Sequence, residues 1–340
     1  MRESSTARNG TPRRCSVLPP ARVLTLADFP PWFLRVFAVL MGLLWGSFLN
    51  VVIYRVPRGM SVVRPGSTCP SCGAPIKPWD NVPVLAYLWL RGKTRCCKTR
   101  LSPRYPLIEA MIGLLMWAVV EVVILRLHPT TPAWQVLVVY VVDLLFALGL
   151  VGAAFIDLEH VYIPEFIPYG LSALGVLSFW TRPPLSIREV VVGAFVGFLI
   201  VWLPFDFLYR KLRGRTGMAL GDAMLVMTAG AWFGVEGAFF ALMGGAVQGT
   251  LAAGVTWFVK GKLDDHESVA KERAELEQAL AELTPEERAE LEASGQDPIL
   301  DEPEGGLGAR IPFGPFLALA MLEYLLVGRD VMQAAFGVGE

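Results

Sequence analysis

Eight apolar stretches punctuate this chain, and they constrain its fold more than any other feature. They run Pro31–Tyr54, Pro106–Leu127, Ala133–Ile156, Ile163–Trp180, Ile187–Leu208, Met218–Phe233, Ala238–Val259 and Ile311–Leu326. Each approaches the ~20 apolar residues with which a helix crosses the hydrocarbon core, the fourth and sixth being short. The 340 residues are 54% hydrophobic and only 18% charged, whereas a soluble domain carries about a quarter charged residues. The expectation is an all-α polytopic membrane protein of about eight transmembrane helices, held in a lipid bilayer, with a small cysteine-containing cytoplasmic domain between the first two. A net charge of −1 hides a basic block near the front and an acidic block near the back. That balance excludes nucleic acid as a partner, because phosphates select a net basic surface.

Basic residues mark the cytoplasmic side of a membrane protein. Arg55–Arg104 holds ten of them against the single acid Asp80, Arg210–Arg215 holds four and Lys260–Arg310 holds six. The loops around His128, Arg182 and Glu236 are short and nearly uncharged. Loops 1, 3, 5 and 7 are therefore expected inside and both termini outside, although Arg2, Arg8, Arg13, Arg14 and Arg22 in the N-terminal tail argue the other way. The division follows: a disordered tail (1–30), a first helix (31–54), a cytoplasmic cysteine domain (55–105), a membrane core of six helices (106–260), an acidic helical insert (261–310), and a last helix with its tail (311–340). The tail is too long and polar before its first apolar run for an ordinary cleaved signal peptide, and Cys15 within it reads as incidental. No internal repeat is visible.

Four of the five cysteines fall in one insert, as Cys69-Pro-Ser-Cys72 and Cys96-Cys97. Two CxxC knuckles about 20 residues apart close a tetrahedral Zn²⁺ shell with four thiolates. The first knuckle is clean, with Gly73 at its turn. The second is adjacent rather than spaced, and adjacent cysteines seldom ligate one metal together without strain. Zn²⁺ held by Cys69, Cys72, Cys97 and Cys96, a three-cysteine site with another ligand, and plain reduced thiols all stand open. A cytoplasmic location disfavours structural disulfides. In the acidic insert, Thr284-Pro285-Glu286-Glu287 reads as a helix start, and two amphipathic surface helices without chemistry are expected.

Carboxylates within membrane spans are costly and mark function by default. The chain offers Asp143, Asp157, Asp206, Asp222, Glu109, Glu121 and Glu323. By the topology above, the third span arrives at the cytoplasmic face with Asp157 and the sixth departs from it with Asp222. The two aspartates thus lie at one membrane level, and Gly221 beside Asp222 allows another backbone close approach. Two aspartates facing each other in a low-dielectric site share one proton, as peptide hydrolysis requires. Capping, or pairing with Arg210, Lys211 or Arg213, is the bland reading of each aspartate, and for Asp143 and Asp206 it prevails.

Taken together, the motifs resemble the prepilin peptidases, or type IV leader peptidases, membrane aspartic proteases of the GxGD kind. The resemblance runs from about Leu44 to Leu325. It rests on Gly46-Ser-Phe-Leu-Asn50 with Tyr54-Arg55, Cys69-Pro-Ser-Cys72, Leu101-Ser-Pro-Arg-Tyr-Pro-Leu-Ile-Glu109, Ile156-Asp157-Leu158 with Ile163-Pro164, Gly221-Asp222, and Ile311-Pro-Phe-Gly-Pro-Phe-Leu317. It implies an enzyme of the bacterial inner membrane that removes the basic leader of single-span type IV prepilins or type II secretion pseudopilins at the cytoplasmic face. It implies Asp157 and Asp222 as the catalytic pair, and in many members N-methylation of the new terminus with S-adenosylmethionine. Cys69, Cys72 and Cys97 fall on family cysteine positions. The sequence departs at Ala219 (a glycine in the family), Met224 (a lysine), Glu165 (an aspartate) and Thr94 (the third cysteine, with Cys96 displaced by two). Two other classes stay open: a non-catalytic assembly subunit of a pilus or secretion system, and a transporter relaying ions through paired carboxylates, which the lack of a repeated half disfavours. Attraction of a basic leader by the acidic insert is a further expectation; oligomeric state is not legible.

Overall fold

A computed structural model describes residues 23–69, 71–182, 184–213, 218–261 and 312–328, with positions 274, 278 and 284 besides. The tail to residue 22, with Cys15, and almost all of the acidic insert lie outside the described residues. Among those described, the chain is helical throughout its membrane portion, and prolines begin most of the helices. Helix α1 (Pro31–Arg55) follows Pro30, α2 (Arg104–Val122) follows Pro103, and α3 (Ala133–His160) follows Pro132. Proline suits a helix start because its fixed φ is already helical and its missing N–H would be unpaired there. Helix α4 (Phe166–Leu177) is shorter than the expected Ile163–Trp180, since Pro164 precedes it and the chain tightens into a 3₁₀ turn at Phe179–Thr181. Helix α5 (Ile187–Val201) opens on a capping box in which Ser186 and Glu189 exchange hydrogen bonds. It continues through a widened π turn at Trp202–Leu208, where Pro204 cannot donate to the ladder, and on to Arg213.

Leu220–Lys260 (α6) is one uninterrupted helical run except for Gly234, whose φ of 74° and ψ of −168° belong to no helix. Gly197 of α5 packs against both Val226 and Ala238. A straight helix would hold those two positions about 18 Å apart, so the chain must double back at Gly234. The limbs 220–233 and 235–260 are two antiparallel spans, as the sequence pattern expects. Helix α7 (Gly314–Glu323, extended by a π turn to Gly328) lies against the second limb, with Leu317 on Gly245 and Ala320 on Gly244. Five helical runs are long and apolar enough to cross a bilayer, and α4 and α7 are shorter apolar helices. Dividing α6 at Gly234 brings the apolar helices among the described residues to eight.

Two glycine contacts organise the bundle. Gly42 and Gly46 of α1 bring its backbone against Gly113 and Glu109 of α2, where a Cβ would fall 2.9 Å from the opposing Cα atoms. Gly193 of α5 meets Gly230 and Gly234 in the same way. Small residues one turn apart permit this approach, and van der Waals contact then replaces the hydrophobic drive that lipid removes. At the centre, Trp232 is fully buried, stacks on Phe146 at 3.8 Å, and donates its indole N–H to the Leu171 carbonyl at 2.7 Å. One end of the bundle carries the cysteine insert together with the end of α3 and the starts of α4, α6 and α7. The other carries the short loops.

Candidate functional site

Asp157 and Asp222 arrive at the insert end from different helices. Asp157 occupies the last turn of α3, and its own carbonyl accepts the N–H of Val161 at 2.8 Å. Val161 adopts a φ of 50°, a left-handed conformation that a β-branched residue takes only under constraint. The turn it makes sends the chain back to Ile163. Asp222 sits in the first turn of α6, at the positive end of the helix dipole. The two meet around Ile163, which lies against both Gly221 and Gly314. Gly314 donates its N–H to Asp157 Oδ2 at 3.0 Å, and a Cβ at that position would stand 2.7 Å from the same oxygen. Both carboxylates are buried, at 5% and 7% exposure, and each stands in the other's field. The α7 start thus adds a third element to the site; the Ile311–Leu317 motif marks the segment in the sequence but not this contact, because a backbone N–H has no residue type.

The remaining membrane carboxylates do not join them. Glu121 pairs with Arg35 across α1 and α2 at 2.5 Å, Glu323 accepts from Gln248 at 2.6 Å, and Asp206 pairs with Arg210 one turn on. Asp143 is buried toward the opposite end, in the field of Arg182, whose guanidinium lies over the Trp232 ring at 4.2 Å. Glu109 accepts the Val84 N–H at 2.7 Å and belongs to the cysteine side of the molecule. Arg104 at the start of α2 pairs with Glu159, which joins that side to the last turn of α3.

Three departures from the GxGD pattern find physical accounts. Ala219 has φ −69° and ψ 145°, an extended conformation that needs no glycine. Met224 is 2% exposed, inside the helix packing, so a thioether fills space there without a buried charge. Glu165 is exposed at the start of α4 and takes no part in the aspartate site.

The four cysteine sulfurs converge within 4.8 Å of one another. Each pair sits on a tight hairpin. The first is closed by Cys69 N–H to the Ala74 carbonyl at 2.8 Å, with Gly73 at φ 69°. The second is closed by Thr94 N–H to the Thr99 carbonyl at 2.9 Å, with Lys98 at φ 59°. The left-handed Lys98 folds the Cys96-Cys97 pair so that both sulfurs face the first knuckle, which removes the objection to adjacency. The contacts Cys69–Cys97 at 3.6 Å, Cys72–Cys96 at 3.4 Å and Cys96–Cys97 at 3.8 Å match the S···S edge of about 3.8 Å in a tetrahedral zinc thiolate site. Hydroxyls of Thr94 and Thr99 lie 3.3 and 3.1 Å from Cys97 Sγ and hold its thiol down to about 5. The Cys72 and Ser71 backbone N–H groups lower Cys69 as well. The Ala74 N–H favours the Cys72 thiolate, yet the neighbouring sulfurs of Cys96 and Cys69 push that thiol up to about 12. Protons crowded among four sulfurs in this way are what a divalent cation displaces. The donor set fits zinc.

Residues 40–123 match the bacterial peptidase A24 N-terminal domain, and residues 144–254 match the type IV leader peptidase family. The first range contains the four cysteines and the second contains both aspartates. The prepilin leader peptidase/N-methyltransferase of Neisseria gonorrhoeae is 33% identical over 251 residues, 66% of this chain and 83% of that protein. The protein of the same name from Myxococcus xanthus is 33% identical over 334 residues, 90% of this chain and 94% of its own length. That of Aeromonas hydrophila is 33% identical over 238 residues, 63% and 78% of the two chains. No solved structure matches the chain.

Proposed function

The chain belongs to the type IV leader peptidase family, and from that premise we propose that Asp157 and Asp222 cleave the leader of a single-span prepilin or pseudopilin at the insert end of the bundle. One observation carries the reading: helices distant in sequence bring two buried carboxylates to one place, and the Gly314 N–H fixes the orientation of one. The pair shares a proton. The ionised member takes a proton from water as it attacks the scissile carbonyl, while the protonated member polarises the carbonyl oxygen. Gly221 beside Asp222 lets Ile163 pack close to the site. The insert end faces the cytoplasm of the bacterial inner membrane in this reading, supported by the ten basic residues of Arg55–Arg104 against one acid.

Zinc in the cysteine cluster would be held by Cys69, Cys72, Cys96 and Cys97, a closed four-thiolate shell that is structural rather than catalytic. S-adenosylmethionine, the methyl donor that the relatives' name implies, would supply a methyl group to the amine that cleavage frees.

Intact mass spectrometry of a prepilin incubated with the purified chain tests the peptidase roles. Asp157→Asn and Asp222→Asn should each remove leader cleavage, by about 10³-fold or more, while the protein still inserts in membranes. Retained cleavage in either variant would return that aspartate to a structural role, whereas no cleavage of any prepilin by the unaltered chain would favour a non-catalytic subunit or an ion-relaying transporter.

A further inference from the structure

The cysteine insert carries an apolar face that its own fold leaves open. Leu85, Leu88 and Trp89 stand at i, i+3 and i+4 on the short helix Leu85–Trp89, so they share one side of it. All three are exposed, Trp89 by 83%. Val82, whose carbonyl accepts the Ala86 N–H at 3.0 Å, lies one turn back and is exposed too, as is Trp79 before it. The other side of the helix is engaged: Tyr87 packs over Gly92, where a Cβ would fall 3.0 Å from the tyrosine hydroxyl. Large apolar side chains gathered over one short segment form a patch rather than a scatter, and such patches mark contact surfaces.

The patch sits at the level of the membrane spans. The Val84 N–H donates to Glu109 Oε2 at 2.7 Å, and Glu109 lies five residues beyond the start of α2, about 8 Å along it. Gly46, nine residues before α1 ends, packs its backbone on the same glutamate. The bond therefore holds Val84, and the helix that follows it, beside the spans rather than out in the water beyond them. Val84 keeps a positive φ of 59° there, a strained conformation that survives where the surroundings enforce it. Bases border the patch. Lys77 lies 5.4 Å over the Trp79 ring, and Arg91 and Lys93, both exposed, follow Trp89. Asp80, the one acid of Arg55–Arg104, is paired with Arg95. Apolar side chains at span level, a tryptophan at each end, and lysine and arginine around them make the pattern of a segment lying in a membrane interface.

We propose that Trp79–Trp89 is a monotopic anchor seated in the bilayer leaflet at the insert end. Val82, Leu85, Leu88 and Trp89 lie among the acyl chains, and Lys77, Arg91 and Lys93 lie at the lipid phosphates. A lipid surface is the occupant because the depth of the patch leaves a water-borne protein no approach, and its border of a single sign complements phosphate. The anchor bears on the second cysteine hairpin. The Leu101 N–H donates to the Gly92 carbonyl at 2.8 Å, and Lys93 and Arg100 face each other in an antiparallel bridge. The chain leading to Cys96 and Cys97 thus leaves directly from the anchored helix, and the membrane surface sets the height of that hairpin from a second side, beyond α1 and α2.

Photolabelling of the full chain in vesicles of phosphatidylcholine and phosphatidylglycerol, with a diazirine on the lipid acyl chain, tests the anchor. After digestion, label should appear in peptides covering 79–89 as well as in those of α1 and α2. Leu85→Glu combined with Leu88→Glu should cut the label in 79–89 by about tenfold and leave α1 and α2 labelled as before. A photoreactive phenylalanine analogue in place of Leu88 keeps the test open should the double variant fail to fold, and its adducts should be with lipid. Adducts of that residue with a second copy of the chain or with another protein overturn the anchor. So does a segment 79–89 that stays unlabelled in an unaltered chain whose spans are labelled.

Discussion

The aspartate site and the cysteine site sit at the same end of the molecule and are built by opposite means. The cysteine cluster is local: two hairpins of a few residues each point their sulfurs at one another, with Gly73 and Lys98 in matching left-handed positions. The aspartate site is tertiary: the end of α3, the start of α6 and the start of α7 contribute one element each, and Ile163 is the common neighbour. A local site tolerates displacement, because only the sulfur positions matter. Thr94 can take a family cysteine's place and still lie against Cys97, while Cys96 fills the fourth corner. A tertiary site has no such freedom, since each contributor is fixed by a helix that packs elsewhere.

That contrast can be broken by substitution. Gly314→Ala should have the largest effect short of removing an aspartate. The new methyl would stand 2.7 Å from Asp157 Oδ2 and 2.9 Å from Ile163, so one or the other must move. A shift near 1 Å at reacting groups lowers rates by about a hundredfold, and leader cleavage measured by mass spectrometry should fall on that scale. Activity within twofold of wild type would show that α7 merely covers the site. Next comes the cysteine cluster. Cys72→Ser combined with Cys96→Ser should abolish zinc in elemental analysis of the purified chain and open the insert to protease, while leader cleavage falls by less than about tenfold. A collapse of cleavage equal to that of an aspartate variant would mean that the two sites are one cooperative unit. Lys98→Gly should be the mildest. It relieves a left-handed residue worth about 1 kcal/mol and should lengthen the proteolytic lifetime of the insert modestly. A shorter lifetime would assign the lysine side chain a contact of its own.

The same contrast governs what the sequence reveals. Hydropathy displays the spans well enough to separate Met218–Phe233 from Ala238–Val259 across a run that is helical almost without a break. The expense of a carboxylate in lipid flags seven acids, and the loop charges put two of them, Asp157 and Asp222, at one level. Pattern alone does not reach the features made by backbone. The Gly314 N–H that orients Asp157, the folding of Cys96-Cys97 by Lys98, and the Val84 N–H on Glu109 depend on conformation rather than on residue type. The close packing of Gly193 on Gly230 is likewise invisible until the partner helix is known.

Two elements beside the aspartates are short, unlike α3, which carries Asp157. At 1.5 Å per residue, α4 (Phe166–Leu177) spans about 18 Å and the first limb of α6 about 21 Å, against a hydrocarbon core of about 30 Å. A helix shorter than the hydrocarbon core is accommodated by local thinning of the bilayer, which would bring the headgroup region toward the carboxylates. A hydrolase in lipid must obtain its water, and thinning of this kind would supply it. Reconstitution in lipids of increasing acyl length should slow cleavage progressively; a rate indifferent to bilayer thickness would mean that the protein carries its own water channel.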